Sequence, residues 1–176
     1  MKNYKFSLSQ IRELEKNIVI LIDTREKKNE HIINYFEKVG IKYKYQKLDY
    51  GDYTFMLQAG NGLSNEVYFH DEIVIERKAS LEELSNNLTH KREQFEKELL
   101  KAKSNNCKFF LAVENPLGIN AIMEKAYNTE MKPISYVASL RTYEQRYNIH
   151  LGFLDKSYMG YYINSSFIYF MREFFT

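Results

Sequence analysis

The chain has 176 residues, of which 44% are hydrophobic and 27% charged, and its net charge is only +2. This length suffices for one compact domain with a real core, and the composition is that of an ordinary globular protein. No apolar run is long enough to cross a bilayer, and the single Cys107 excludes an internal disulfide or a multi-cysteine zinc site. Because the molecule is nearly neutral, any contact with nucleic acid must come from a local patch.

The first residues of the chain and its lack of linker sequences predict one cytoplasmic domain. The first ten residues, MKNYKFSLSQ, lack the apolar segment of a signal peptide. No repeat, low-complexity tract or Pro/Gly-rich linker interrupts the sequence. We therefore expect a single domain over residues 1–176, in a reducing cytoplasm and without membrane contact.

The first half of the chain predicts strands around one helix. NIVILID, residues 17–23, is a continuous β-branched run typical of a central strand. Residues 41–55 and 66–78 are extended, with a turn around Gly51. Residues 57–64 predict a hairpin loop. The helix between the first two strands ends at Gly40, and its predicted buried side consists of Ile32, Ile33, Phe36 and Val39.

The second half alternates helices and strands. Ser80 and Glu83 have the spacing of a capping box at a helix start. A helix over residues 90–103 precedes a buried strand over 107–115. Pro133 suits the first turn of a helix to about Tyr147, followed by a strand at 149–154 and an aromatic-rich helix at 157–175. The predicted buried side of the 90–103 helix is Phe95, Leu99 and Leu100. This order predicts an α/β domain with a central mixed sheet flanked by helices.

Three carboxylates fall where apolar strands end or turn. Asp23 ends the first strand, Asp52 follows the turn glycine of the second, and Glu76 stands in the IERK end of the third. If these strands are adjacent, the three acids form one cluster, and a hard divalent cation relieves their repulsion. Magnesium held in this way is a tool for phosphodiester hydrolysis. Lys78, on the same strand face as Glu76, would orient or deprotonate the attacking water or neutralise phosphate charge.

A Glu-x-Lys pair on a strand is more often a solvated sheet edge than a catalytic site. The position of all three acids at strand ends favours the catalytic interpretation. Arg77 points to the opposite face of the strand. It either ties the strand to Glu26 or reaches the substrate phosphate.

The motifs VILIDTRE, LDYGDY and IERK, in this order, resemble those of the XPF family of structure-specific nucleases, a branch of the restriction-endonuclease-like PD-(D/E)XK superfamily. The resemblance covers roughly residues 18–115. It implies a restriction-endonuclease-like fold and a nuclease that uses Mg²⁺ or Mn²⁺ to cut branched DNA such as flaps, forks and junctions, in recombination, repair or replication. The residues that carry the implied roles are Asp52 and Glu76 as main metal ligands with Asp23 nearby, Arg25, Glu26 and Arg77 as organisers of the site, and Lys78 as the superfamily lysine.

Three departures from the family pattern stand out. The acid four residues after Lys78 is Glu82 rather than Asp. The segment between Asp52 and Glu76 is long, so we expect its extra hairpin loop near the site. Larger members carry helix-hairpin-helix or helicase domains, and we expect neither here, as in a stand-alone phage or prokaryotic protein.

The remaining expectations concern partners and alternatives. Arg92 resembles an arginine that follows this helix in the family, and with Lys91 it is the predicted DNA contact, although this charged segment is more often a solvated helix face. The C-terminal aromatic helix belongs either to the core or, as the resemblance implies, to a homodimer interface. The rival functions are an inactive module that binds junctions or scaffolds a partner, and a nuclease of the same superfamily acting on duplex DNA or RNA. A separate DNA-binding partner protein is a further expectation.

Overall fold

The computed structural model describes residues 6–176. The first five residues, part of the stretch in which no signal peptide is predicted, lie outside the described residues. Over the described part of the chain, no helix is long and apolar enough to cross a membrane.

A seven-stranded mixed sheet forms the centre of the molecule, in the order β2-β1-β3-β5-β6-β7, with β4 paired to β3. β3 is antiparallel to both β1 and β5, whereas β1–β2, β5–β6 and β6–β7 are parallel. The predicted mixed sheet is therefore confirmed. The strands are β1 (Ile18–Ile22), β2 (Tyr43–Tyr45), β3 (Tyr53–Leu57), β4 (Val67–Tyr68), β5 (Ile73–Lys78), β6 (Lys108–Glu114) and β7 (Ile149–Leu154).

Helices lie on both faces of the sheet, with one large apolar cluster on each face and a smaller cluster of Val19, Leu21, Leu48 and Met56. α3, α4, α5 and α6 lie over one face, and α1, α2 and α7 over the other. The helices are α1 (Leu8–Glu15), α2 (Glu30–Val39), α3 (Leu81–Leu88), α4 (Arg92–Ser104), α5 (Ile119–Met123), α6 (Pro133–Tyr147) and α7 (Met159–Phe175), and a 3-10 turn (Lys156–Tyr158) precedes the last. α1 and α5 are additions to the predicted elements.

Two predicted buried residues are exposed. Val39 is 50% exposed and Leu100 is 54% exposed. Val39 is the last helical residue before the left-handed cap at Gly40, and the buried residues of α2, Ile32 and Phe36, lie earlier in the helix. The buried stripe of α4 runs through Phe95, Leu99 and Ala102, and Leu100 lies about 100° round the helix from Leu99.

The long loop between β3 and β4 lies away from the acids, which corrects its predicted place near the site. β3 starts at Tyr53, next to Asp52, and runs away to Leu57, where it pairs with Ile18 at the start of β1. Asn17 Nδ2 donates hydrogen bonds to the carbonyl oxygens of Gln58 and Gly60. The loop is thus fixed to the opposite edge of the sheet.

Candidate active site

The directions of β1, β3 and β5 bring the three predicted acids to one edge of the sheet. Because β3 is antiparallel to its neighbours, its beginning lies beside the ends of the other two. The Asp23 N–H donates to the Asp52 carbonyl at 2.8 Å, and the Asp52 N–H donates to the Ile75 carbonyl at 2.9 Å. These backbone bonds fix Asp52 between the other two strand ends.

Gly51 permits this placement of Asp52. Its φ is +72°, in the left-handed region that residues other than glycine seldom adopt. A Cβ at this position would lie 2.8 Å from the Cβ of Val74 on β5. Only glycine can therefore make the turn this close to β5, and the turn delivers Asp52 to the strand that carries Glu76.

Asp52, Glu76 and Lys78 form part of the wall of an open cleft of about 230 Å³ at this edge. Lys78 Nζ lies 2.6 Å from Glu76 Oε1, so the two side chains share a strand face as predicted. Asp52 Oδ2 accepts a hydrogen bond from the Arg77 N–H at 2.8 Å. Burial, and then the charges of Glu76 and Glu26, raise the pKa of Asp52 well above its ordinary value. A carboxylate with a raised pKa beside a second acid is a typical place for a cation.

Lys78 is positioned as a charged group. Burial disfavours its ammonium form, but the charges of Glu76 and Asp52 and the hydrogen bond to Glu76 outweigh burial and raise the pKa of Lys78. Its Nζ also lies 3.8 Å from Glu83 Oε1. The protonated amine can donate hydrogen bonds and offset negative charge, and it cannot accept a proton.

Asp23 uses both of its oxygens within the protein. Oδ1 accepts from the backbone N–H and Nε of Arg25, each at 2.7 Å. Oδ2 accepts from the Leu48 N–H at 2.7 Å and from Arg25 Nη2 at 3.1 Å. Asp23 therefore anchors Arg25, whose side chain lies at the cleft wall.

The predicted cluster of three acids is not formed as one group. Among residues 6–176, no three His, Cys, Asp or Glu side chains surround a common point as metal ligands do. The reason is local, because Arg25, two residues after Asp23, forms an ion pair with the Asp23 carboxylate. The pair Asp52 and Glu76 remains as the candidate ligand set, and a role of Asp23 at the metal stays a prediction.

Arg77 lies on the opposite face in a buried ionic network. Its Nε lies 2.7 Å from Glu26 Oε1, and its Nη1 lies 3.2 Å from Glu114 Oε2. Glu114 Oε1 lies 2.6 Å from His31 Nε2, and Glu26 also accepts from the Tyr53 hydroxyl. The side chain of Arg77 is only 4% exposed, so the structure selects the Glu26 tie over a phosphate contact. Arg77 and Glu26 thus lie beneath the cleft rather than in its wall.

The sequence interpretation missed His31 and Glu114. Glu114 is the last residue of β6, so the strand-end signal that identified the other acids was available for it. His31 lies in the first turn of α2, and its sequence neighbourhood carries no comparable signal.

Helices α3 and α4 form the other wall of the cleft. Lys91, predicted to contact DNA, lines it together with Asn86, Asn87, Gln94, Glu83 and Glu98. Lys91, Gln94 and Glu98 are three and four residues apart and share one face of the helix end. Burial, and then the charge of Glu76, raise the pKa of Glu98. Glu83 and Glu98 are therefore cleft residues that the sequence interpretation missed, and the helical spacing from Lys91 was the signal for Glu98.

Two residues of this region have partners outside the cleft. Glu82, the acid four residues after Lys78, accepts a hydrogen bond from the Asn128 N–H at 2.9 Å, and it is Glu83 that reaches Lys78. The Ser80 hydroxyl accepts from the Glu83 N–H, but the Glu83 carboxylate accepts from Ala79. Only half of the predicted capping box is present. Arg92 pairs with Glu96 and lies over Tyr143, so its contact with DNA stays a prediction.

Comparisons with known proteins agree with this geometry. The sequence model of the ERCC4 domain matches residues 22–158. No curated protein matches the chain. Two similar solved structures are "XPF from Aeropyrum pernix" (TM-score 0.59, 20% identity, 85% of this chain) and "XPF from Aeropyrum pernix, complex with DNA" (TM-score 0.60, 20% identity, 88% of this chain). This chain spans 59% and 65% of those two chains.

The structural likeness confirms the predicted restriction-endonuclease-like fold, a mixed sheet between helices. The match of the domain model covers more than half of the chain and includes Asp23, Asp52, Glu76 and Lys78. The predicted XPF-type domain is therefore confirmed, and the chain belongs to the ERCC4 domain family.

Proposed function

We propose that the protein is a divalent-metal-dependent endonuclease that cuts DNA near branches such as flaps, forks and junctions. The observation that carries the proposal is the cleft in which Asp52, Glu76 and Lys78 meet at one sheet edge. Two oxygen ligands and one buried ammonium suit the hydrolysis of a phosphodiester, whose reaction needs charge neutralisation. The family relationship and the DNA complex of a structural relative support the same class of substrate.

The donor set fits Mg²⁺ or Mn²⁺. Mg²⁺ keeps several waters and is commonly held by one or two carboxylates together with substrate phosphate. Asp52 and Glu76 offer such a pair, and Asp52 has a carboxylate oxygen beyond the one bound to the Arg77 N–H. A bound cation supplies the positive charge that neutralises the scissile phosphate. The raised pKa of Asp52, caused by burial and by Glu76, reflects the repulsion that such a cation relieves.

The charges of the cleft explain how cation and DNA cooperate. Its lining contains three cationic side chains, Arg25, Lys78 and Lys91, and four carboxylates, Asp52, Glu76, Glu83 and Glu98. Without a cation the cleft is slightly negative and does not favour phosphate. One divalent ion would make the net charge of the cleft positive, so we expect the divalent ion and the phosphate to bind together.

Within this arrangement each side chain has a distinct task. Lys78, kept protonated by Glu76 and Asp52, donates to the attacking water or to a phosphate oxygen. Arg25, held by Asp23 and by the Leu48 carbonyl, presents its guanidinium at the cleft wall for a second phosphate contact. Lys91 faces them from the helical wall.

The test is cleavage of labelled flap, fork, four-way junction and plain duplex DNA, with Mg²⁺ or with EDTA. We expect cutting of branched DNA with Mg²⁺ and none with EDTA. Asp52→Asn and Glu76→Gln should abolish cleavage while DNA binding persists, because phosphate contacts come mainly from Arg and Lys. Either variant cutting at near wild-type rate would rule out this site.

Two alternatives are decided by the same experiment. An inactive module that binds junctions or scaffolds a nuclease would bind the branched DNA and cut nothing in any metal. The presence of Asp52, Glu76 and Lys78 together argues against it. A nuclease with a different substrate would cut plain duplex DNA, or an RNA of the same sequence, at least as fast as the branched forms.

We further propose a homodimer that uses the outer face of α7. One face of this helix is core, with Ile163, Phe167 and Met171 buried, as the core interpretation predicts. On the outside, Tyr161 and Tyr169 are 56% and 61% exposed, and exposed apolar side chains on one helix face favour an interface. Light scattering should report twice the chain mass for the wild type and the monomer mass for Tyr161→Asp/Tyr169→Asp. A wild-type monomer, with and without DNA, would contradict the dimer and leave the DNA-binding surface to this chain or a partner protein.

A further inference from the structure

The cleft opens at the turn between α3 and α4, where two shallow depressions continue it in different directions. One, the α4 groove, is lined by His90, Lys91, Glu93, Gln94 and Lys97. The other, the acidic recess, lies toward residues 128–131 and includes Glu82, Asn86, His90 and Glu130 in its lining. The cleft shares Lys91 and Gln94 with the α4 groove and Asn86 with the acidic recess. A strand that passes through the cleft can leave by either path.

The two paths differ in charge. The α4 groove has two lysines against one carboxylate. The acidic recess has Glu82 and Glu130, and among the described residues of its lining there is no Lys or Arg. Phosphates lie a few ångströms from these walls, which is well inside the screening length of about 8 Å at physiological salt. Repulsion therefore closes the recess to a nucleic acid strand, and attraction favours the groove.

We propose that the DNA strand leaving the scissile phosphate runs along the α4 groove, with Lys97 as a phosphate contact beyond Lys91. This inference rests on the proposed nuclease function. Lys91 and Lys97 are six residues apart, about 9 Å along the helix axis. Lysines this far apart can contact different phosphates of the same strand, because neighbouring phosphates of a strand are separated by at least about 3.4 Å. Gln94, between the two lysines and shared by both concavities, offers an uncharged donor for the intervening sugar or phosphate.

The present partner of Lys97 does not prevent this contact. Lys97 Nζ lies 2.8 Å from Glu93 Oε1, and both side chains are more than 70% exposed. Exposed helix pairs at this spacing contribute little to stability and are screened by salt. A phosphate can therefore replace Glu93 as the partner of Lys97. The charge of Glu93 weakens the attraction of the groove for phosphate but does not prevent binding.

The test measures DNA affinity by fluorescence anisotropy over a salt series, with a fluorescein-labelled fork and with Ca²⁺ in place of Mg²⁺ to prevent cutting. Lys97→Ala should lower affinity about five-fold at 0.1 M salt and reduce the slope of log K against log salt by about 0.7, the value for one single-strand phosphate contact. Glu93→Gln should tighten binding. Lys103→Ala is the matched control, since Lys103 lies on the same helix outside all three concavities and bonds to the Arg146 carbonyl.

One other variant, Glu130→Gln, decides whether the strand leaves by the acidic recess instead. If Lys97→Ala behaves like Lys103→Ala, the inference is wrong, and tighter binding by Glu130→Gln would then indicate that the strand leaves by the acidic recess. A wild-type protein that binds and cuts the fork in either case leaves the proposed nuclease function standing. A wild-type protein that neither binds nor cuts would overturn the function itself.

Discussion

On one face of β5, Arg77 meets Glu26 and Glu114, and its charge is matched by buried carboxylates on neighbouring elements. On the other face, Glu76 has Lys78 at 2.6 Å but shares its surroundings with Asp52 and Glu98. Both faces bury charge at the tip of one strand. On the first face both carboxylates are enclosed and have partners in the protein, namely Arg77, Tyr53 and His31. The second face opens to the cleft, where a ligand can reach Asp52 and Glu76. Complete pairing within the protein therefore separates a structural network from a candidate active site, even between adjacent residues.

The largest expected effect that tests this comparison is on stability. Arg77→Met leaves Glu26 and Glu114 buried without their cation, and breaking a buried pair from one side costs about 3–5 kcal/mol. Urea denaturation should show that loss in the free energy of unfolding, with or without Mg²⁺. A variant as stable as the wild type would mean that the two faces do not differ in this way.

The next effect is on catalysis. Lys78→Met removes the buried ammonium group of the cleft and leaves Asp52 and Glu76 in place. Single-turnover cleavage at saturating Mg²⁺ should fall by at least roughly 100-fold, the lower end for loss of a positioned acid–base or electrostatic group. Magnesium affinity, followed by calorimetry, should change little. Full recovery of the rate at high metal concentration would show that Lys78 only shapes the metal site.

A matched substitution of strand-end acids sharpens the contrast further. Glu114→Gln keeps the shape of the side chain but removes the charge that faces Arg77, with an expected cost of about 1–3 kcal/mol. Cleavage by the folded variant at saturating Mg²⁺ should stay close to wild type. Glu76→Gln should instead abolish cleavage in a variant that still folds, because it removes a proposed metal ligand. Equal losses of activity in both variants would argue that the buried network takes part in the reaction.

The smallest effect is on the pH dependence of stability. Burial and Glu76 raise the pKa of Asp52 above its ordinary value of 3.8, so the folded state holds this proton more tightly than the unfolded state. Stability without metal should therefore fall as pH rises from 3.8 through the raised folded value. Thermal unfolding in EDTA should show this fall in the wild type and a flatter profile in Asp52→Asn. Mg²⁺ should restore the stability of the wild type at high pH. Identical pH profiles for the wild type and Asp52→Asn in EDTA would contradict the raised pKa of Asp52.

Local pattern was enough to predict most of the fold and the edge where the acids meet. The apolar runs that became β1 and β5 and the glycines at 40 and 51 specify their own conformations, and strand alternation placed Glu76 beside Lys78. α1 escaped prediction because only Ile11 and Leu14 of its residues are buried. Its capping box of Ser7 and Gln10 was nevertheless readable.

What could not be predicted depends on contacts between distant segments. The far position of the β3–β4 loop follows from the direction of β3, which becomes certain only when its pairing with β1 is known. The commitment of Asp23 to Arg25 and Leu48, and the choice of Glu83 over Glu82 as the neighbour of Lys78, depend on side-chain orientation. Motif spacing contains no information on which of several nearby acids remains available to a ligand.

The β3–β4 loop, held at the edge of the sheet opposite the cleft, also makes this protein easy to label. Ser64 in that loop is exposed, and exposed loop positions tolerate substitution. The only native cysteine, Cys107, is buried, and burial raises the pKa of its thiol to about 12, which leaves it inert to maleimide at neutral pH. A Ser64→Cys variant can therefore carry one dye or surface tether with the native cysteine left in place. A molecule tethered through this loop would leave the cleft accessible to DNA in solution.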